Sequence, residues 1–145
     1  MRLMNEIAIK LKRRKLRKRW LKERAELILD ILGVKDSELS ILITTDEEIR
    51  ELNKAYRGKD EPTDVLSFPI GEKVGDRLIL GDVVISLDTA NRQALEWGCG
   101  LDEEVERLLA HGIIHLLGYD HELGGEEERK FKALEEKVNA ELRRG

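Results

Sequence analysis

The chain has only three histidines, and all of them fall within eleven residues: His111-Gly-Ile-Ile-His115-Leu-Leu-Gly-Tyr-Asp-His121. That spacing dictates a local shape. On a helix, His111 and His115 lie one turn apart on the same side, close enough for two imidazoles to reach one cation. Val105, Leu109, Gly112, Ile113 and Leu116 form the core face of that helix, and the two histidines border it. Gly118 then stands where a left-handed residue ends the helix and folds the chain back, bringing His121 towards the first two from the other side. Three neutral nitrogen ligands with no cysteine beside them suit zinc, one ion per chain, and a fourth position left to water is the arrangement of a catalytic site. The plainer reading is three separate surface or core histidines.

The spacing also matches the metzincin protease motif H-E-x-x-H-x-x-G-x-x-H, glycine included. One position breaks the match: the general-base Glu of the protease is replaced by Gly112. No methionine follows to form a Met-turn, because both methionines, Met1 and Met4, are at the N-terminus. A metal site survives this difference, but peptide hydrolysis by the usual route does not.

A chain of 145 residues, 41% of them hydrophobic, is long enough for one domain with a real core. From Leu11 the apolar positions Leu16, Trp20, Leu27, Ile28, Ile31 and Leu32 recur at helical spacing and stop at Gly33, which predicts a long amphipathic helix. Leu39, Ile41 and Ile43 alternate as a strand. Thr45 to Glu48 has the form of a capping box and opens a helix with apolar face Ile49, Leu52 and Tyr56, ending near Gly58. Val65 to Pro69 reads as a strand at a sheet edge or strand end, and Leu78 to Leu87 as another. Asp88 is a candidate N-cap for a helix ending at Trp97-Gly98, and Asp102 to Glu104 acidify the first turn of the histidine helix. A last helix follows Gly125 with the stripe Phe131, Leu134, Val138 and Leu142. The expectation is a single α+β domain over 1–145, a small mixed sheet of three to four strands packed by about five helices.

The net charge of −4 hides an asymmetry: residues 10–24 carry ten basic side chains and one acidic one, a local +9 against −13 for the remainder. Such a run is either a solvated helix face or an attachment surface for a polyanion. The N-terminus lacks the apolar block of a secretory signal, and no stretch reaches the length of a membrane span, so a cytoplasmic protein is expected. The single Cys99 fits a reducing compartment.

Three blocks of the sequence resemble one family. The histidine string, ending Gly118-Tyr119-Asp120-His121, is similar to the signature of the YbeY family of bacterial metal-dependent endoribonucleases, known as rRNA maturation factors. Leu52-Asn53-Lys-Ala-Tyr56-Arg57-Gly-Lys-Asp60-Glu-Pro62-Thr63-Asp64-Val65-Leu66-Ser67-Phe68 resembles a second signature, and Gly81-Asp82-Val83-Val84-Ile85-Ser86 a third, weaker one.

The resemblance implies an α+β fold, zinc on His111, His115 and His121, and processing of ribosomal RNA at the 3′ end of the small-subunit rRNA, with a link to ribosome quality control. Arg57 matches the family's functionally important arginine, and a guanidinium offers paired donors to the charge that builds on phosphate oxygens during cleavage. Asp120 would orient an imidazole or accept a proton, or else cap the turn after Gly118. Asp64 fits an Asx-turn, Asn53 a hydrogen-bonded structural role as readily as catalysis, and Ser67 and Ser86 face either a groove or solvent. Non-catalytic ribosome assembly with a structural metal, or metal-dependent hydrolysis of another substrate, are the alternatives. No obligate protein partner and no membrane are expected. With RNA as partner, Lys12, Arg13, Arg14, Lys15, Arg17, Lys18 and Arg19 become candidate phosphate contacts that share one surface with the histidines. Neutralising several of them is expected to weaken RNA binding and flatten its dependence on salt, measured as the slope of log affinity against log salt; an unchanged slope removes the role.

Overall fold

In a computed structural model that describes residues 5–11, 16–119 and 124–144, the chain begins with a strand. Ile7, Ile9 and Leu11 alternate with exposed neighbours in β1 (Glu6–Leu11). This corrects the long basic helix expected from Leu11. Lys10 belongs to β1, Arg17 is the N-cap residue of α1 (Lys18–Ile31), and only the later basic residues lie on that helix. The period-two pattern of residues 6–11 prevails because it gains a partner strand, and one apolar residue, Leu11, was counted into the wrong periodicity. Lys12, Arg13, Arg14 and Lys15 lie outside the described residues.

The remaining elements are β2 (Ser37–Thr44), α2 (Asp46–Arg57), β3 (Val65–Val74), β4 (Arg77–Ser86), α3 (Leu87–Trp97), α4 (Leu101–Leu116) and α5 (Gly125–Arg144). The strands form one mixed sheet in the order β1-β2-β4-β3, with β2 parallel to β1 and β4, and β3 antiparallel to β4. The expected α+β class holds, with four strands and five helices among the described residues. β3 is an edge strand, and its register slips just after Pro69, where a missing N–H costs nothing to the ladder. No helix among the described residues is long and apolar enough to cross a membrane.

The two faces of the sheet are covered unequally. On one, Ile41, Ile43, Val83 and Ile85 join Leu21, Ile28 and Leu29 of α1, Leu109 and Ile113 of α4, and Phe131 and Val138 of α5 in the main core. On the other, α2 alone covers the sheet, setting Ile49 on Leu66 and Val84. Half of the expected capping box is seen, with Thr45 Oγ1 accepting from the Glu48 N–H while the Glu48 carboxylate accepts from the Thr44 hydroxyl, and the helix stops at Gly58 in the left-handed region, φ 70°.

A polar knot ties α2 to α3. The Asp46 carboxylate accepts from Ser86 Oγ and Thr89 Oγ1, both at 2.6 Å, and pairs with Arg92 at 2.8 Å. Ser86, not Asp88, is the N-cap of α3, its hydroxyl accepting from the Thr89 N–H; Asp88 instead accepts from the Asp46 N–H at 3.0 Å. A serine at the strand end reaches the first free N–H of the helix, whereas Asp88 already lies within its first turn. Burial alone would raise the Asp46 pKa, but the hydrogen bonds from Ser86, Thr89 and Arg92, with the charge of Arg92, outweigh it and hold the carboxyl below its usual value of 3.8. A depressed folded-state pKa makes the ionised form stabilising above the unfolded value, and that contribution is lost as pH falls through the folded one. Asp46→Ala is expected to cost about 1–3 kcal/mol at neutral pH. In denaturant titrations at several pH values the gap to wild type should narrow below pH ~4.

Candidate functional site

The histidine helix α4 lies unusually close to the sheet. A Cβ at Gly112 would stand 2.7 Å from Val83 Cγ1 and 3.3 Å from Ser67 Oγ, so no larger residue fits without displacement. Ser67 Oγ donates to the Gly112 carbonyl at 3.2 Å and fastens α4 to the edge strand β3. Position 112, which carries a general-base Glu in the protease motif, therefore faces packed sheet and could not present a carboxylate to a substrate. The register of α4 is fixed at its other side as well. The buried Glu104 holds Arg107 through two 2.8 Å contacts, and Arg107 lies 4.8 Å above the Trp97 ring of α3.

With Gly112 against the sheet, His111 and His115 emerge at the edge of the core, half-buried, as the periodicity predicts. Both line a cleft of about 440 Å³, whose other walls include Tyr56 and Arg57 from the end of α2 and Ser67 and Phe68 from β3. Arg57 and the two histidines, distant in sequence, are thus brought together. Ser67 faces this cleft, one of the two placements expected for it.

The last helix completes the setting of His111. Its Nδ1 lies 2.9 Å from Glu135 Oε2, and its ring centroid 4.8 Å from that of Phe131, one helical turn before Glu135 on α5. An ionised carboxylate can only accept, so Nδ1 carries a proton, and in the neutral imidazole Nε2 then has the lone pair. Glu135 was missed by sequence reasoning. Its signal is its place four residues after the core residue Phe131, which puts it on the inward side of α5, but nothing local names its partner.

Two imidazoles one turn apart on one cleft, one of them held in a defined tautomer by a carboxylate, fit the donor chemistry of a zinc site. His121 and Asp120 lie outside the described residues, and among the described residues no three His, Cys, Asp or Glu side chains group as a metal site. Gly118 adopts φ 100°, the left-handed turn expected after the helix. Other candidates make contacts within the fold. Asn53 is buried and donates to the Glu61 carbonyl at 2.9 Å, holding the loop after α2. Asp64 accepts from the Val65 N–H at 2.8 Å and from Gln93 at 3.3 Å, while its carbonyl accepts from the Ser86 N–H. Ser86 is fully buried in the polar knot, facing neither groove nor solvent.

A mixed sheet backed by a two-histidine helix, with an arginine across the cleft, makes this a small α+β protein with a polar cleft at the sheet edge. The family model for the endoribonuclease YbeY matches residues 4–143. Endoribonuclease YbeY of Aquifex aeolicus is 62% identical over 138 residues, covering 95% of this chain and 92% of that protein. The Persephonella marina protein of the same name is 48% identical over 144 residues, covering 97% and 94%. The solution structure of TM1509 from Thermotoga maritima superposes with a TM-score of 0.61 at 31% identity, covering 94% of this chain and 91% of that one. The chain belongs to the YbeY endoribonuclease family.

The close approach at Gly112 can be tested without reference to activity. Gly112→Ala must push Val83 or the whole of α4 outward, and a loss of about 1–3 kcal/mol is expected in urea denaturation. Val83→Ala in the same chain should restore part of that loss by opening the space.

Proposed function

We propose that this chain is a zinc-dependent endoribonuclease that matures ribosomal RNA, at the 3′ end of the small-subunit rRNA, and serves ribosome quality control in the cytoplasm. The observation that carries the reading is the single cleft onto which Arg57 of α2 and His111 and His115 of α4 both open. Family membership supports the RNA substrate, and the resemblance of the histidine string supports the metal and the ribosomal role.

His111 and His115 would hold the zinc, with His121 as third ligand. The chemistry zinc supplies when bound is Lewis acidity and hydroxide at neutral pH. The chain's own residues do the rest. Glu135 accepts a hydrogen bond from the His111 Nδ1–H and fixes the ring so that Nε2 is the nitrogen turned to coordination. Arg57 sits at the exposed end of α2, where its guanidinium can take two non-bridging phosphate oxygens and favour the more negative transition state over the ground state. Asp120, beside a ligand, orients an imidazole or moves a proton. The exposed Arg17, Lys18 and Arg19, with Lys12, Arg13, Arg14 and Lys15 before them, supply sequence-independent attraction to RNA phosphates.

Zinc analysis and cleavage of structured and single-stranded RNA, run on wild type and three variants, test this reading. His115→Ala should lose both zinc and cleavage while keeping its helical circular dichroism. Arg57→Ala should keep its zinc yet lose roughly 100-fold or more in kcat. Glu135→Gln should bind zinc about 10- to 100-fold more weakly. Full cleavage by zinc-free protein, or by Arg57→Ala, would overturn the corresponding assignment.

A further inference from the structure

A second concavity adjoins the cleft and is not used by the proposed chemistry. It lies on the sheet face that α2 covers only in part, measures about 510 Å³, and runs from β1 across β2 and β4. Its floor follows from the register. Ala8, Ser40, Asp82 and Phe68 stand on one rung of the sheet, and Lys10, Leu42, Val84 and Leu66 on another. Its wall is Leu52 and Tyr56 of α2, one helical turn apart. Tyr56 and Phe68 line both this groove and the cleft, so the two adjoin at this aromatic pair.

The character of the junction indicates the occupant. Tyr56, expected on the apolar face of its helix, is 70% exposed, and its ring meets the partly buried Phe68 ring edge-on at 5.1 Å. An exposed tyrosine held in place by a second aromatic is a surface on which a flat base can stack with little ordering cost. Tyr56 directly precedes Arg57, so a phosphate held by the arginine has the ring beside it. Lys10 places a cation on the groove lining, suited to a neighbouring phosphate. The lining is otherwise largely apolar, with Ser40 and Asp82 as polar groups on the floor. A carboxylate there accepts from an exocyclic amine, which adenine, cytosine and guanine carry and uracil lacks. A second copy of the chain would be drawn to the apolar lining, but it would make no use of the groove's position beside Arg57.

We infer that this groove is a nucleobase subsite, in which an unpaired base next to the scissile phosphate stacks on Tyr56 and is read by Asp82. The inference rests on the endoribonuclease reading for its substrate. It concerns binding rather than bond cleavage, so the two can fail separately.

The test uses the zinc-loaded protein and short, unstructured 2′-O-methyl oligonucleotides, with affinity read by fluorescence anisotropy. Tyr56→Ala should weaken binding about 10-fold or more, and Tyr56→Trp should restore it. An abasic nucleotide at the stacked position should cost the wild type the same factor and cost Tyr56→Ala nothing further. Asp82→Asn should narrow the preference for the amine-bearing bases over uracil. Wild-type affinity in Tyr56→Ala would overturn the subsite, as would an equal loss for intact and abasic probes. Tyr56-dependent self-association in sedimentation, with RNA affinity unmoved, would assign the groove to a second copy instead. If Tyr56-dependent base binding is found but no RNA is cut, the subsite stands and the endoribonuclease reading falls. RNA cut normally, with Tyr56→Ala unaffected in affinity, gives the converse.

Discussion

The van der Waals contact between Gly112 and Val83 sets the distance from α4 to the sheet, and most of the site follows from that distance. A glycine in mid-helix gives up roughly 1 kcal/mol of helix propensity relative to alanine. What is gained is close packing of a buried helix on β3 and β4, with Ser67 as an additional fastening. Because helical residues are spaced by 100°, pressing position 112 to the sheet determines where positions 111 and 115 emerge. The two histidines owe their shared outlook to a residue that has no side chain.

Around this contact, distant parts of the chain each contribute one component. α5 supplies the carboxylate and the ring that hold His111, and α2 supplies Arg57. α2 is in turn held at its N-terminus by the Asp46 knot and at its C-terminus by Asn53, which fixes the following loop. The arginine is therefore positioned by a helix anchored at both ends, although its own side chain is exposed.

Much of this was legible in the sequence, for identifiable reasons. The α4 helix, its glycine stop and its core face come from periodicity and from the steric freedom of Gly118, both local properties. The same holds for the capping box of α2 and the stripe of α5. β1 was not legible, because Leu11 belongs to a strand yet continues the helical spacing of the residues that follow, and the pairing with β2 that decides between the two is non-local. The N-cap of α3 was misplaced by two residues for want of knowing where β4 ends. Glu135 and the contact of Gly112 with Val83 depend on tertiary packing, which no local pattern encodes. Tyr56 kept its helical phase but not its burial, since whether a helix face is covered depends on the width of the sheet beneath it.

The unequal covering of the sheet has a consequence for motion. α4 lies between the sheet and α5 and shares the main core with α1, so opening it disrupts most of the molecule. α2 rests on a small apolar cluster and its polar end contacts, and it can separate at a lower free-energy cost than global unfolding. The cleft therefore straddles a boundary between two cooperative units. The histidines belong to the unit expected to exchange its amide hydrogens last, and the arginine to one expected to exchange earlier. The histidine side of the cleft is thereby held by the main core, while the arginine side rests on a smaller apolar cluster and yields first.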